Sequence, residues 1–143
     1  MPPRRPLVLL ALALLSGCTP AGPALTPVSG KVTLDGQPLA AARILFHPVG
    51  DTRGQGGAGL TRDDGSYEVV ASRTTRKGLL PGTYKVTLSR FLRPDGTPLP
   101  PDTPWQGSDA RQSIPEVYTQ RDWTPLEVTV GTEAKTFDVA LKK

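Results

Sequence analysis

The sequence predicts an all-β fold, a seven-stranded antiparallel β-sandwich behind a cleaved signal peptide. Three observations predict it. Apolar residues alternate with polar ones at period two from Val28 onward. The chain carries 15 Gly and 16 Pro, an ample supply of turn formers. No long stretch shows helical spacing, so short strands joined by turns are the natural reading. At 143 residues the chain suits one domain.

Residues 1–17 come first and read as an export signal. Arg4 and Arg5 make a positive start, and Leu7 to Leu15 form an apolar run followed by small residues. As a helix, nine residues span only about 14 Å against roughly 30 Å of hydrocarbon, too short for a permanent span. Leu15-Ser16-Gly17-Cys18 resembles the bacterial lipobox, in which small residues precede a lipid-accepting cysteine. The resemblance implies a diacylglyceryl group on the Cys18 thiol and cleavage between Gly17 and Cys18. Cys18 is the chain's one cysteine, and an unpaired thiol otherwise has little use in an exported protein. Two or three acyl chains hold a protein stably on a bilayer, whereas one does not. Thr19 follows the cysteine, which by resemblance to Gram-negative sorting points to the outer membrane, facing the periplasm or the cell surface. Residues 18–27 then form the lipidated cysteine and a proline-rich tether. At 3.1 Å per residue, positions 19–27 span up to about 28 Å.

The domain occupies residues 28–143. Val28, Val32 and Leu34 share one face of the first strand, and Asp35-Gly36 makes a hairpin-type turn. Ala42 to Phe46 gives a second strand, with Ile44 and Phe46 inward and Pro48 ending it. Gly57 to Thr61 is the third and weakest. Asp63-Asp64-Gly65 turns the chain into SYEVV, where Tyr67 and Val69 point inward. Pro81-Gly82 precedes TYKVTLSR, with Tyr84, Val86 and Leu88 on one side. LEVTV (126–130) and KTFDVAL (135–141) complete the seven. One dry and one wet face per strand implies two antiparallel sheets packed together. Residues 91–124 interrupt this rhythm with six prolines and both tryptophans. An excursion of that length is usually functional or mobile, and residues 114–118 are expected to dock as a short extended piece.

V-S-G-K-V-T-L-D-G-Q-P-L-A-A-A-R-I-L-F (28–46), T-R-D-D-G-S-Y-E-V (61–69) and L-P-G-T-Y-K-V-T-L (80–88) resemble carboxypeptidase regulatory-like domains. These belong among the transthyretin-like, or more broadly immunoglobulin-like, sandwiches. A lipobox before such a domain, with I-P-x-x-Y ahead of the last two strands, looks like small lipoproteins common in planctomycete-type bacteria. The resemblance implies a fold far more firmly than an activity. Some transthyretin-like proteins hydrolyse a urate breakdown product with several histidines and a Tyr-Arg-Gly-Ser terminus. This chain has one histidine and ends Val-Ala-Leu-Lys-Lys, so that activity does not carry over.

Charge and side-chain chemistry narrow the function. Net charge is +4, but without Arg4 and Arg5 the remainder has 15 basic against 13 acidic residues, scattered except for Arg73, Arg76 and Lys77. A nucleic-acid footprint needs a denser basic face, so nucleic acid is not an expected partner. His47 lacks partners at metal or triad spacing, which leaves no expected catalytic set, metal or cofactor. Asp63-Asp64-Gly65 reads as a turn, because a hard cation needs six or more oxygens. Lys31, Glu68 and Asp138 are the candidates for the isopeptide bond of related adhesin repeats. The alternation puts all three on the wet face, whereas that reaction needs a dry core. Trp105, Tyr118 and Trp123 remain: as large apolar side chains they are expected to cap one open end of the sandwich, or, as a candidate binding loop of exposed aromatics, to stack on sugars or anchor protein contacts. The expectation is therefore a non-enzymatic, lipid-anchored envelope module that binds a protein or polysaccharide, with a carbohydrate-binding module as the alternative.

Overall fold

The computed structural model describes residue 17 and residues 22–143. Cys18 and most of the signal segment lie outside the described residues. Twelve strand segments and one 3-10 turn make up the regular structure, and no α-helix occurs among the described residues. No described helix is long and apolar enough to cross a membrane.

Strand β1 (Val28–Leu34) is the centre of the first sheet. The Asp35-Gly36 turn has both residues at positive φ, 51° and 82°, as a two-residue hairpin turn requires. It leads to β2 (Gln37–Pro38), antiparallel to the end of β1. After β3 (Arg43–Val49) and β4 (Gly57–Leu60), β5 (Ser66–Glu68) pairs antiparallel with the start of β1. Beyond Val69 the same chain switches sheets, because β6 (Val70–Ala71) pairs with β4. Next come β7 (Gly82–Ser89), β8 (Phe91–Leu92), β9 (Arg111–Gln112) and the 3-10 turn Glu116–Tyr118. Finally β10 (Glu127–Val130) joins the second sheet, while β11 (Lys135–Thr136) and β12 (Val139–Leu141) join the first. The second sheet runs β10-β7-β3-β4-β6 and is antiparallel throughout.

The wholly antiparallel arrangement expected from the alternation needs correcting. Both β11 and β12 run parallel to β1. Alternation reports which face of a strand is dry, and it carries no information about the direction of the neighbour. The parallel pair is possible because the intervening domain supplies the long crossover it requires. The predicted last strand keeps one register through its break, since Val28 pairs with Lys135 and Val32 with Val139. At the break the Asp138 carboxylate accepts the Lys31 N–H at 2.9 Å, in place of a ladder carbonyl.

One core joins the two sheets. Val32, Tyr67, Val139 and Leu141 from the first meet Ile44, Phe46, Val86 and Val130 from the second, all buried. The Phe46 ring is central, within 6.3–6.5 Å of the Tyr67, Tyr84 and Phe137 rings. Each residue expected inward is buried except Phe137, which is half-buried and packed against the cluster.

Three local expectations differ from what forms. Strand β3 runs on through Pro48 to Val49, because β4 pairs only with Arg43–Phe46. Past that point β3 is paired on one side alone, where a residue without an N–H is tolerated. The segment 91–124 is held by short antiparallel pairings: β8 pairs with β9 across residues 93–110, and within that stretch a tight turn brings Pro98 back to Leu92. Its docking piece at 116–118 is a 3-10 turn, with Ile114 buried just before it. The tether also ends earlier than composition suggests. Thr26 and Leu79 exchange backbone hydrogen bonds of 2.7 and 2.9 Å, and the Arg76 guanidinium donates to the Pro23 carbonyl at 2.8 Å. Residues 23–27 are therefore laid against the domain.

Candidate functional site

The candidate site grows out of the outer face of the second sheet. Burial of Ile44 and Phe46 fixes the phase of β3, so Arg43 and Leu45 point away from the core. Arg43 sits opposite Leu60 on one side and Ser89 on the other. This leaves a floor with two leucines on a face where polar residues are the rule, and Leu60 is 45% exposed.

The segment after β7 raises a wall beside that floor. Asp95 accepts hydrogen bonds from the Thr97 N–H and hydroxyl, closing a turn that returns Leu99 to the Phe91 carbonyl. Pro100 and Pro101 then lead to Trp105. Its indole stacks on the Phe91 ring with centroids 5.1 Å apart and planes 7° from parallel. One face of the indole is thus supported and the residue is still 49% exposed. Floor and wall enclose a groove of about 410 Å³.

Arg90 sits at the base of the wall, half-buried. Its Nε donates to Ser113 Oγ at 2.9 Å and its Nη1 to the Ala40 carbonyl at 3.3 Å. Burial pulls its pKa below the usual guanidinium value. Among the described residues the ion pairs are those of Glu68, with Lys77 at 2.7 Å and Arg62 at 3.8 Å. Arg43 and Arg90 thus line the groove with no carboxylate on either, and no acidic side chain lines it. A neighbouring hollow that Trp105 also lines is bordered by Arg111 and Glu116.

Of the three predicted aromatics only Trp105 belongs to the groove. Tyr118 is half-buried and packs against the core, because the 3-10 turn rotates it inward. Trp123 is 62% exposed on the turn at 121–123 and lines neither hollow. Gly17 is exposed, and Cys18 lies outside the described residues. Arg43, Arg90, Phe91 and Leu60 were not singled out from the sequence. The available signals were Leu45 and Leu60 out of phase with the buried residues, and the Pro94-Asp95-Gly96 turn that sends the chain back.

The other chemical candidates have settled local roles. His47 Nε2 lies 2.9 Å from Thr87 Oγ1, and its pKa is lowered, first by burial and then by the Arg121 charge. Asp64 takes the Ser66 N–H and hydroxyl in a turn. Lys31, Glu68 and Asp138 are exposed, and Glu68 is held by Lys77, whose ammonium lowers its pKa. Among the described residues no three His, Cys, Asp or Glu side chains gather as a metal site. The chain matches no family model, no curated protein and no solved structure.

Proposed function

We propose that this chain is a membrane-anchored lipoprotein whose non-catalytic β-sandwich binds an envelope component in the groove beside Trp105. A supported, half-exposed indole over an open groove carries the reading. A large aromatic kept in water is costly unless something covers it, and aromatics dominate binding hot spots. The anchor rests on the sequence: a short apolar run behind two arginines, then Leu-Ser-Gly-Cys. On this reading Cys18 carries the lipid, and the domain faces the periplasm or cell surface from the outer membrane. The resemblance of roughly residues 28–141 to carboxypeptidase regulatory-like domains, and through them to seven-stranded transthyretin-like sandwiches, belongs to the same proposal.

Two measurements test it. Intact mass of the purified mature chain is expected to begin at Cys18 with acyl chains attached; an unmodified Cys18 ends the anchor reading. Capture of envelope components by immobilised protein is expected to fall on Trp105→Ala while circular dichroism stays unchanged. Capture indifferent to Trp105 removes the groove from the account.

The second reading, a carbohydrate-binding module, is favoured by one observation. The indole is flat, backed by Phe91 and bordered by hydrogen-bonding side chains such as Gln112. That combination suits the C–H face and hydroxyls of a sugar ring.

A further inference from the structure

We infer that the groove takes an acidic polysaccharide, one whose sugar rings carry carboxylates, with Trp105 stacking on a ring and Arg43 and Arg90 meeting its charge. The inference rests on the reading of this groove as a binding site and names the ligand class. Its ground is charge. Two guanidinium groups line the groove and no carboxylate of the chain lines it; Asp102, between the lining residues Pro101 and Thr103, is exposed outside it, and Glu116 lines the adjoining hollow that shares Trp105. Arg90 is half-buried and spends two of its nitrogens on neutral oxygens, Ser113 Oγ and the Ala40 carbonyl. A guanidinium withdrawn from water without a counter-ion is unfavourable, and an incoming carboxylate supplies one in the bidentate geometry it prefers. The stacked Phe91–Trp105 pair favours a sugar over an acidic peptide, because it offers a rigid plane at the width of one ring. Ser89, also at the groove, serves ring hydroxyls as donor and acceptor, and the Gln112 amide nitrogen, whose oxygen already accepts from the Arg90 and Ile114 N–H groups, serves as donor.

The test is affinity electrophoresis of residues 19–143, which hold the whole core, in gels containing polygalacturonate, with neutral dextran as the comparison. The acidic polymer is expected to retard the protein and dextran to leave it unretarded. Trp105→Ala, which changes no charge, is expected to weaken binding about tenfold, and Trp105→Phe to restore most of it. Arg43→Gln is expected to weaken binding roughly tenfold, the scale of one charge-assisted hydrogen bond. Arg73→Gln, which removes the same charge away from the groove, is expected to change it by less than twofold. Equal losses from Arg43→Gln and Arg73→Gln, or none from Trp105→Ala, reduce the interaction to non-specific attraction and overturn the inference. Retardation by dextran that depends on Trp105 overturns the charge argument but leaves the groove a binding site. Retardation by neither polymer, with Trp105-dependent capture of an envelope protein, overturns the polysaccharide and leaves the proposed function standing.

Discussion

Gly30 faces the Phe137 carbonyl across the β1–β12 side of the first sheet, with the Tyr67 hydroxyl alongside and donating to that same carbonyl. A Cβ at Gly30 would clash with backbone, which cannot swing aside as a side-chain end would. Gly30→Ala is therefore expected to lower unfolding free energy by about 1–3 kcal/mol, the range of core overpacking, in urea titrations. His47 gives a pH-dependent expectation. Its native pKa lies below 6.5 through burial and the Arg121 charge, while the unfolded chain regains the ordinary value. As pH falls through about 6.5 the unfolded chain takes up a proton that the native chain resists, so stability declines and then levels below the native pKa. His47→Gln is expected to flatten this fall as pH drops below about 6.5; an unchanged slope in urea midpoints assigns the decline elsewhere. At this scale the sequence is readable where a residue obeys its strand. Val32, Ile44 and Val86 follow the alternation and are buried. Tyr118 and Trp123 sit in a segment without a period, so nothing local distinguishes the ring turned inward from the one left in water.

Among the elements, residues 91–124 depart furthest from their sequence appearance. Six prolines suggest a loose excursion, yet one tight turn, the β8–β9 pairing and a 3-10 turn organise it. Side chains tie it down: Thr124 Oγ1 donates to the Val86 carbonyl at 2.7 Å, and the Arg90 N–H meets Gln112 Oε1 at 2.8 Å. Ile114 inserts into the shared core. Ile114→Ala is thus expected to cost about 2–4 kcal/mol and to lower the single unfolding transition of the whole domain. A separate early transition of this segment, seen as fast amide exchange confined to 91–124, is the contrary outcome. The regular strands were legible because each has a dry face to pattern. This segment was not, because its order comes from side-chain-to-backbone hydrogen bonds, which follow no period.

On the scale of the whole molecule, the end of the chain completes what its beginning starts. Strand β1 has β5 and β2 on one side and β11 and β12 on the other. Ending the chain at residue 134 strips that second side and uncovers Val28, Val32 and Tyr67. The shortened protein is expected to lose its cooperative thermal transition, read by circular dichroism, whereas removing only Lys142 and Lys143 is expected to shift it by a few degrees at most. Two sheets on one core were legible from alternation, but the neighbour of the first strand was not, because that partner lies 107 positions downstream. Such a separation sets a clock during synthesis. At about 5–20 residues per second, some 5–20 s pass between the emergence of Lys31 and that of Asp138. Throughout that interval one side of the first strand lacks its parallel partners, so the first sheet closes only after residues 135–141 have emerged.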